Sequence, residues 1–122
     1  MADAKAVVNL ATGLGDDEER VTVAFLVGNA AAESGRRTTM FLTKDAVRLA
    51  LPGEAQGVAC DGCPPLERLF EQYAANGGEL LVCPICFNAR GLEGSELVPN
   101  ARIGGATPLW DWVGEGATVF SY

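Results

Sequence analysis

The sequence predicts an α/β fold: one domain over residues 1–122, built on a mostly parallel sheet of about five strands with helices on both faces. Three observations carry this. Short apolar, β-branched runs alternate with helix-compatible segments along all 122 residues. That length suits one domain able to bury about two-thirds of its surface. A hydrophobic fraction of 48% against 20% charged residues excludes a disordered chain. No internal repeat, linker or low-complexity tract interrupts the pattern.

Lys5 to Ala11 is an apolar run ended by Thr12-Gly13-Leu14-Gly15 and reads as a buried first strand. Asp16, Asp17, Glu18 and Glu19 follow, where the positive end of a helix dipole favours acids. The next segment, Arg20 to Glu33, contains a strand-like stretch from Val21 to Val27. Its acidic start, the Ala30-Ala31-Ala32 run and the Ser34-Gly35 stop decide for a helix. Val21, Val23, Phe25, Leu26 and Val27 lie almost all the way round it, so it needs cover on two sides, from a sheet and from another subunit.

Arg37 to Thr43 is a second strand, rich in β-branched and aromatic residues. Lys44 to Leu51 reads as a short helix stopped by Pro52-Gly53. A loop carrying Cys60 and Cys63 leads to Pro64-Pro65. These open a helix with Leu66, Leu69, Phe70 and Tyr73 at helical spacing, closed by Asn76-Gly77-Gly78. Glu79 to Val82 is the third strand and runs straight into Cys83. Phe87 to Arg90 reads as helical with Gly91 as its cap, and Ala101 to Ile103 as a fourth strand before Gly104-Gly105. A helix from Pro108 to Val113 and a last strand, Ala117 to Tyr122, complete the chain.

Composition removes whole classes of chemistry. Histidine is absent, so there is no Ser-His-Asp triad, no Cys-His pair and no histidine-ligated metal or haem. A net charge of −7 and a pI near 4.4 argue against nucleic acid and anionic membranes as partners. No stretch approaches the roughly 20 apolar residues of a membrane span. The start, Met1 to Lys5, leads into a strand-like run rather than a secretory leader, so a cytoplasmic protein is expected.

Function is therefore sought at the four cysteines, which form two Cys-x-x-Cys pairs. Cys60 and Cys63 are separated from Cys83 and Cys86 by nineteen residues (64–82). In a reducing compartment such pairs read as redox groups or metal ligands. Cys83 ends a strand and precedes a helix, with Pro84 in the first turn, where its missing N–H costs nothing. Backbone N–H groups at such a position favour a thiolate. Cys86, one turn on, lies deeper and is placed to attack a sulfur carried by Cys83. The plain alternative is that both are small buried hydrophobes.

Cys60 and Cys63 leave the carboxyl end of the second strand, on the edge where Cys83 ends the third. All four sulfurs can then meet, either as two exchanging thiol pairs or as a zinc site, since the spacing fits a four-cysteine zinc pattern. Against zinc, Cys86 runs on into helix-compatible residues rather than a tight turn. The leading reading has Cys83 as nucleophile, Cys86 as resolving thiol, Cys60 and Cys63 as accessory thiols, and no cofactor. The alternative is a non-catalytic binding module with zinc held by Cys60, Cys63, Cys83 and Cys86.

Other motifs carry less. Cys83-Pro-Ile-Cys86 has thioredoxin spacing, but the 36 residues after Cys86 (87–122) are too few for the rest of that fold. Gly13-Leu-Gly15 suggests a dinucleotide loop, yet Glu18 occupies the third glycine position and the neighbouring acids repel phosphate. Of Trp110 and Trp112, one is expected in the core and one on the rim or at a subunit contact. Arg90, two turns beyond Cys83, could add positive potential to its thiolate, but reads first as a solvated surface arginine.

Taken in order and spacing, several segments resemble the DsrE/DsrF-like family of small sulfur-relay proteins. They are Asn9 to Asp17, Ala30 to Gly35, Phe41 to Val47, Leu80 to Leu92, Gly104-Gly105 and Val119 to Tyr122. The resemblance implies a flavodoxin-like three-layer α/β/α sandwich assembled as a homotrimer or homohexamer. It also implies a persulfide-carrying cysteine at Cys83 and a sulfur donor or acceptor protein as partner. Relay members commonly use a lone cysteine there. Here Cys86 would attack a persulfide on Cys83, releasing sulfide and leaving a disulfide, so either Cys86 is held out of reach or the protein is a thiol reductase or metal site on the same fold.

Overall fold

The computed structural model describes residues 4–122. Met1 to Asp3, on which the leader reading partly rests, lie outside the described residues. The five predicted strands form within a residue or two of expectation: β1 (Lys5–Leu10), β2 (Arg37–Leu42), β3 (Glu79–Val82), β4 (Ala101–Ile103) and β5 (Thr118–Ser121). They make one all-parallel sheet in the order β4-β3-β2-β1-β5, with Val8 opposite Met40 and Met40 opposite Leu80.

That order places the helices. From β1 to β4 the chain steps across the sheet in one direction. Right-handed crossovers therefore put α1 (Glu18–Glu33), α2 (Leu66–Ala75) and α3 (Pro84–Ala89) on one face. The last connection, α4 (Ala106–Val113), runs back past β1 and lands on the other face. The result is a three-layer α/β/α sandwich with unequal outer layers.

On the crowded face, Val8, Leu10, Met40, Leu42, Leu80 and Val82 meet α1 and α2. Phe25 stacks on Phe70 at 4.7 Å and meets Tyr73 edge-on at 5.8 Å. Burial pushes the Tyr73 phenol well above its ordinary range, and its O–H donates to the Glu79 carbonyl at 2.7 Å. On the other face Val7, Thr39 and Leu81 are buried. There Trp112 packs across the amino ends of the strands, with Lys5 and Arg37 each 5.5 Å from its ring. Trp110 is exposed, so the core-and-rim expectation for the two tryptophans holds.

Four helices differ from expectation. α3 starts at Pro84 rather than Phe87, and α4 at Ala106 rather than Pro108. α1 starts two residues earlier than Arg20, because the Asp17 carboxylate accepts the Arg20 N–H at 3.0 Å and caps it. Lys44–Ala50 is a 3-10 helix rather than an α-helix. Its buried residues fall in pairs three apart (Ala46 with Leu49, Val47 with Ala50), the repeat that three residues per turn keeps on one side.

Candidate active site at the carboxyl edge of the sheet

β3 ends at Val82, and Cys83 is the N-cap of α3, with extended dihedrals (φ −63°, ψ 117°) and no capping bond from its side chain. Its N–H donates to the Leu42 carbonyl at 3.0 Å, which pins it to the end of β2. Pro84 takes the first helical position, as its spacing predicts. Cys86 is therefore the third helical residue, and N-cap and third-position side chains turn toward one another at a helix start. Both thiols are free and partly buried against the core. The greater depth expected for Cys86 is a matter of degree, since both fall in the same partly buried range.

The far end of α3 is held by ionic contacts. Arg90 is not a solvated arginine: its Nε donates to the Asp45 carboxylate at 3.1 Å and its guanidinium to the Cys86 carbonyl at 3.1 Å. Asp45 also accepts from Arg48 at 3.0 Å, and these two guanidiniums, Arg48 foremost, hold its carboxyl below the ordinary carboxylate range. Asp45 follows Lys44, whose left-handed φ of 53° turns the chain sharply at the end of β2. It lies under the loop that leaves β1, where a Cβ on Gly13 would come within 2.8 Å of the Asp45 Cβ and Oδ2. Only a glycine fits there. The Gly13 motif thus serves close packing rather than phosphate binding, and its N–H donates to Asp16 at 2.9 Å.

Asp45 escaped the sequence reading. Its pairing with Arg48, three residues on, is legible in principle. Its pairing with Arg90, forty-five residues away, leaves no local trace.

Cys60 and Cys63 are joined as a disulfide across a tight turn, with Cα atoms 5.1 Å apart and Gly62 at φ 77°. The accessory thiols of the sequence reading thus occur here in oxidised form. The convergence on one metal ion that the zinc alternative expects does not occur among the described residues. Among the described residues, no group of three or more cysteine, aspartate or glutamate side chains is placed to hold a metal ion. The disulfide lies in the turn-rich segment 51–65, between the 3-10 helix and α2.

Two apolar surfaces are exposed, one beside the thiols and one at the far, β5 edge of the sheet. Ile85, 79% exposed, sits between the two thiols in sequence, and Ile103 is also exposed. On the crowded face, α1 stops short of β5 and leaves a cleft of about 430 Å³ lined by Val27, Ala30, Ala31 and Phe120. Val23, Leu26, Val119 and Phe120 are exposed on these two elements.

A family model described as DsrE/DsrF-like matches residues 5–122, the whole of the sheet and every helix. The chain belongs to the DsrE/DsrF-like family. Among curated relatives, the uncharacterised protein MK0008 of Methanopyrus kandleri is 28% identical over 105 residues, 86% of this chain and 84% of its own. The uncharacterised protein MJ0760 of Methanocaldococcus jannaschii is 28% identical over 102 residues, 84% of this chain but 37% of its own length. Of solved structures, YchN from E. coli superposes with a TM-score of 0.77 at 22% identity, covering 97% of this chain and 99% of YchN. MTH1491 from Methanobacterium thermoautotrophicum superposes with a TM-score of 0.72 at 17% identity, over 98% and 100%. These two likenesses establish the flavodoxin-like fold of this DsrE/DsrF-like chain. No helix among its described residues is long and apolar enough to cross a membrane.

Proposed function

We propose that this DsrE/DsrF-like protein handles sulfane sulfur, with Cys83 as the nucleophile and Cys86 as the resolving thiol. The observation that carries the reading is Cys83 itself: a free, partly exposed thiol at the β3–α3 junction, unused by any capping bond, with a second free thiol three residues on. In the forward step the Cys83 thiolate takes the outer sulfur of a donor persulfide and becomes a persulfide, while the donor leaves as a thiolate. If an acceptor thiolate then attacks the outer sulfur, the sulfur moves on and Cys83 is restored. If Cys86 attacks the inner sulfur instead, hydrosulfide leaves and a Cys83–Cys86 disulfide remains, to be reset by an external dithiol. Cys60 and Cys63 are a second redox pair whose disulfide can exchange with thiols of a partner.

Family membership supports a sulfur donor or acceptor protein as partner and a cytoplasmic setting. The uncovered apolar face of α1 and β5 supports a homo-oligomer, a trimer or a pair of trimers. No cofactor is required.

The test is persulfide loading. Anaerobic protein treated with a persulfide donor should gain one sulfur on Cys83 by mass spectrometry, and Cys83→Ser should gain none. A Cys83→Ser variant that accepts sulfur at the wild-type rate refutes the assignment. The zinc alternative predicts about one zinc per chain and its loss in Cys60→Ser, whereas the thiol reading predicts a Cys60→Ser variant that folds normally without metal.

A further inference from the structure

The resolving attack depends on where α3 holds Cys86. α3 has only six residues, too few to persist as a helix without tertiary anchors. Three anchors are present: the Cys83 N–H on the Leu42 carbonyl, the buried Phe87 ring, and Arg90. Arg90 is the one that reaches Cys86. The Arg90 N–H turns to the Phe87 carbonyl at 3.2 Å, and the Cys86 carbonyl accepts the Arg90 guanidinium.

We propose that Arg90, locked between the Asp45 carboxylate and the Cys86 carbonyl, is a positioning residue. It keeps Cys86 in register with Cys83, and so sets whether a sulfur on Cys83 is released as sulfide or survives to be passed on. This rests on the sulfur-handling reading above. The geometry is specified by three segments, one following each of β1, β2 and β3. Gly13 after β1 admits Asp45, Lys44 after β2 aims it, and Arg90 beyond β3 takes it up. A guanidinium can serve two acceptors at once from one rigid plane, which an ammonium cannot do in fixed geometry. Arg90 touches neither sulfur. Its effect on the reaction passes wholly through Cys86.

Two reactions read the same geometry. In the first, inorganic polysulfide loads Cys83 by giving up one sulfur and leaving one atom shorter. Cys86 then expels that sulfur as hydrosulfide, forming the Cys83–Cys86 disulfide. In the second, Cys83 carries a mixed disulfide with glutathione, and Cys86 expels the glutathione thiolate to form the same disulfide. The second reaction works whether or not the protein handles sulfane sulfur.

Arg90→Gln should slow release about tenfold or more in both reactions, as misplacement of a reacting group does. Arg90→Lys should stay slow, because it restores the charge opposite Asp45 without the Cys86 bond. Gly13→Ala, which touches none of these side chains' chemistry, should slow release by displacing Asp45. In a Cys86→Ser background the Arg90→Gln change should leave the loading rate of Cys83 where it was. Wild-type release rates in Arg90→Gln and Gly13→Ala overturn the proposal. So does an equal slowing of Cys83 loading in the Cys86→Ser background, the mark of a merely structural role. A wild-type protein that takes no sulfur from polysulfide, yet shows the Arg90 effect in glutathione release, refutes the sulfur-handling reading and supports the positioning role.

Discussion

Asp45→Asn is expected to destabilise the protein near neutral pH and to cost less in acid. The carboxylate accepts from Arg48 at 3.0 Å and Arg90 at 3.1 Å, and both lower its pKa from 3.8. A carboxyl whose folded pKa lies below its unfolded value contributes stability above the unfolded pKa. That contribution is lost as pH falls through the folded one. The window therefore begins near 3.8 and extends downward. The Asp45 side chain is 35% exposed and those of Arg48 and Arg90 are 44% and 27% exposed, so solvent screens both pairs. Exposed pairs contribute about 0.2–1 kcal/mol each, and the less exposed Arg90 pair belongs at the upper end. The two together amount to about 1 kcal/mol, or about 4 °C in Tm for a chain of this size. Urea unfolding of wild type and Asp45→Asn at pH 7 should show this gap, and at pH 2.5 it should be smaller, because the carboxylate's contribution falls away below 3.8. Raising NaCl to about 1 M should narrow it at pH 7, since the screening length falls to about 3 Å. A gap of equal size at both pH values would refute the ionic account and leave only packing.

Tyr73→Phe should cost about 1 kcal/mol in urea unfolding, because the Glu79 carbonyl loses a buried donor at 2.7 Å. Since burial raises the Tyr73 pKa, stability should fall as pH rises past 10, with its ultraviolet ionisation signal appearing only on unfolding. Trp112→Ala should lower stability by about 3–5 kcal/mol, whereas Trp110→Ala, at an exposed position, should stay within about 0.5 kcal/mol by thermal melting. Leu26→Glu combined with Phe120→Glu should reduce an oligomer to a 12.8 kDa monomer by light scattering, and an assembly unchanged by both would place the subunit contact elsewhere.

Most of the element list was legible because its signals are short-range. The alternation of apolar runs, the acidic cap before α1, the double proline before α2 and the Cys83-Pro84 junction all act within about one helical turn. The junction mattered most. It placed Cys83 between a strand and a helix, where it is the N-cap of α3, and the family resemblance drawn on the same residues agrees with the match over residues 5–122. The 3-10 geometry of Lys44–Ala50 was less legible, since its apolar residues suit either kind of short helix and only packing against the sheet separates them.

Local pattern alone specified strands, helices and the residue type at each turn, since propensity, capping and periodicity are properties of neighbouring residues. The order β4-β3-β2-β1-β5 came only with the tertiary structure, and with it the crowding of three helices on one face and a single helix on the other. The same order brings Asp45 under Gly13 and Arg90 to Asp45. Those contacts join residues far apart in the chain. Their free energy depends on which strands become neighbours, and no run of adjacent side chains encodes that choice.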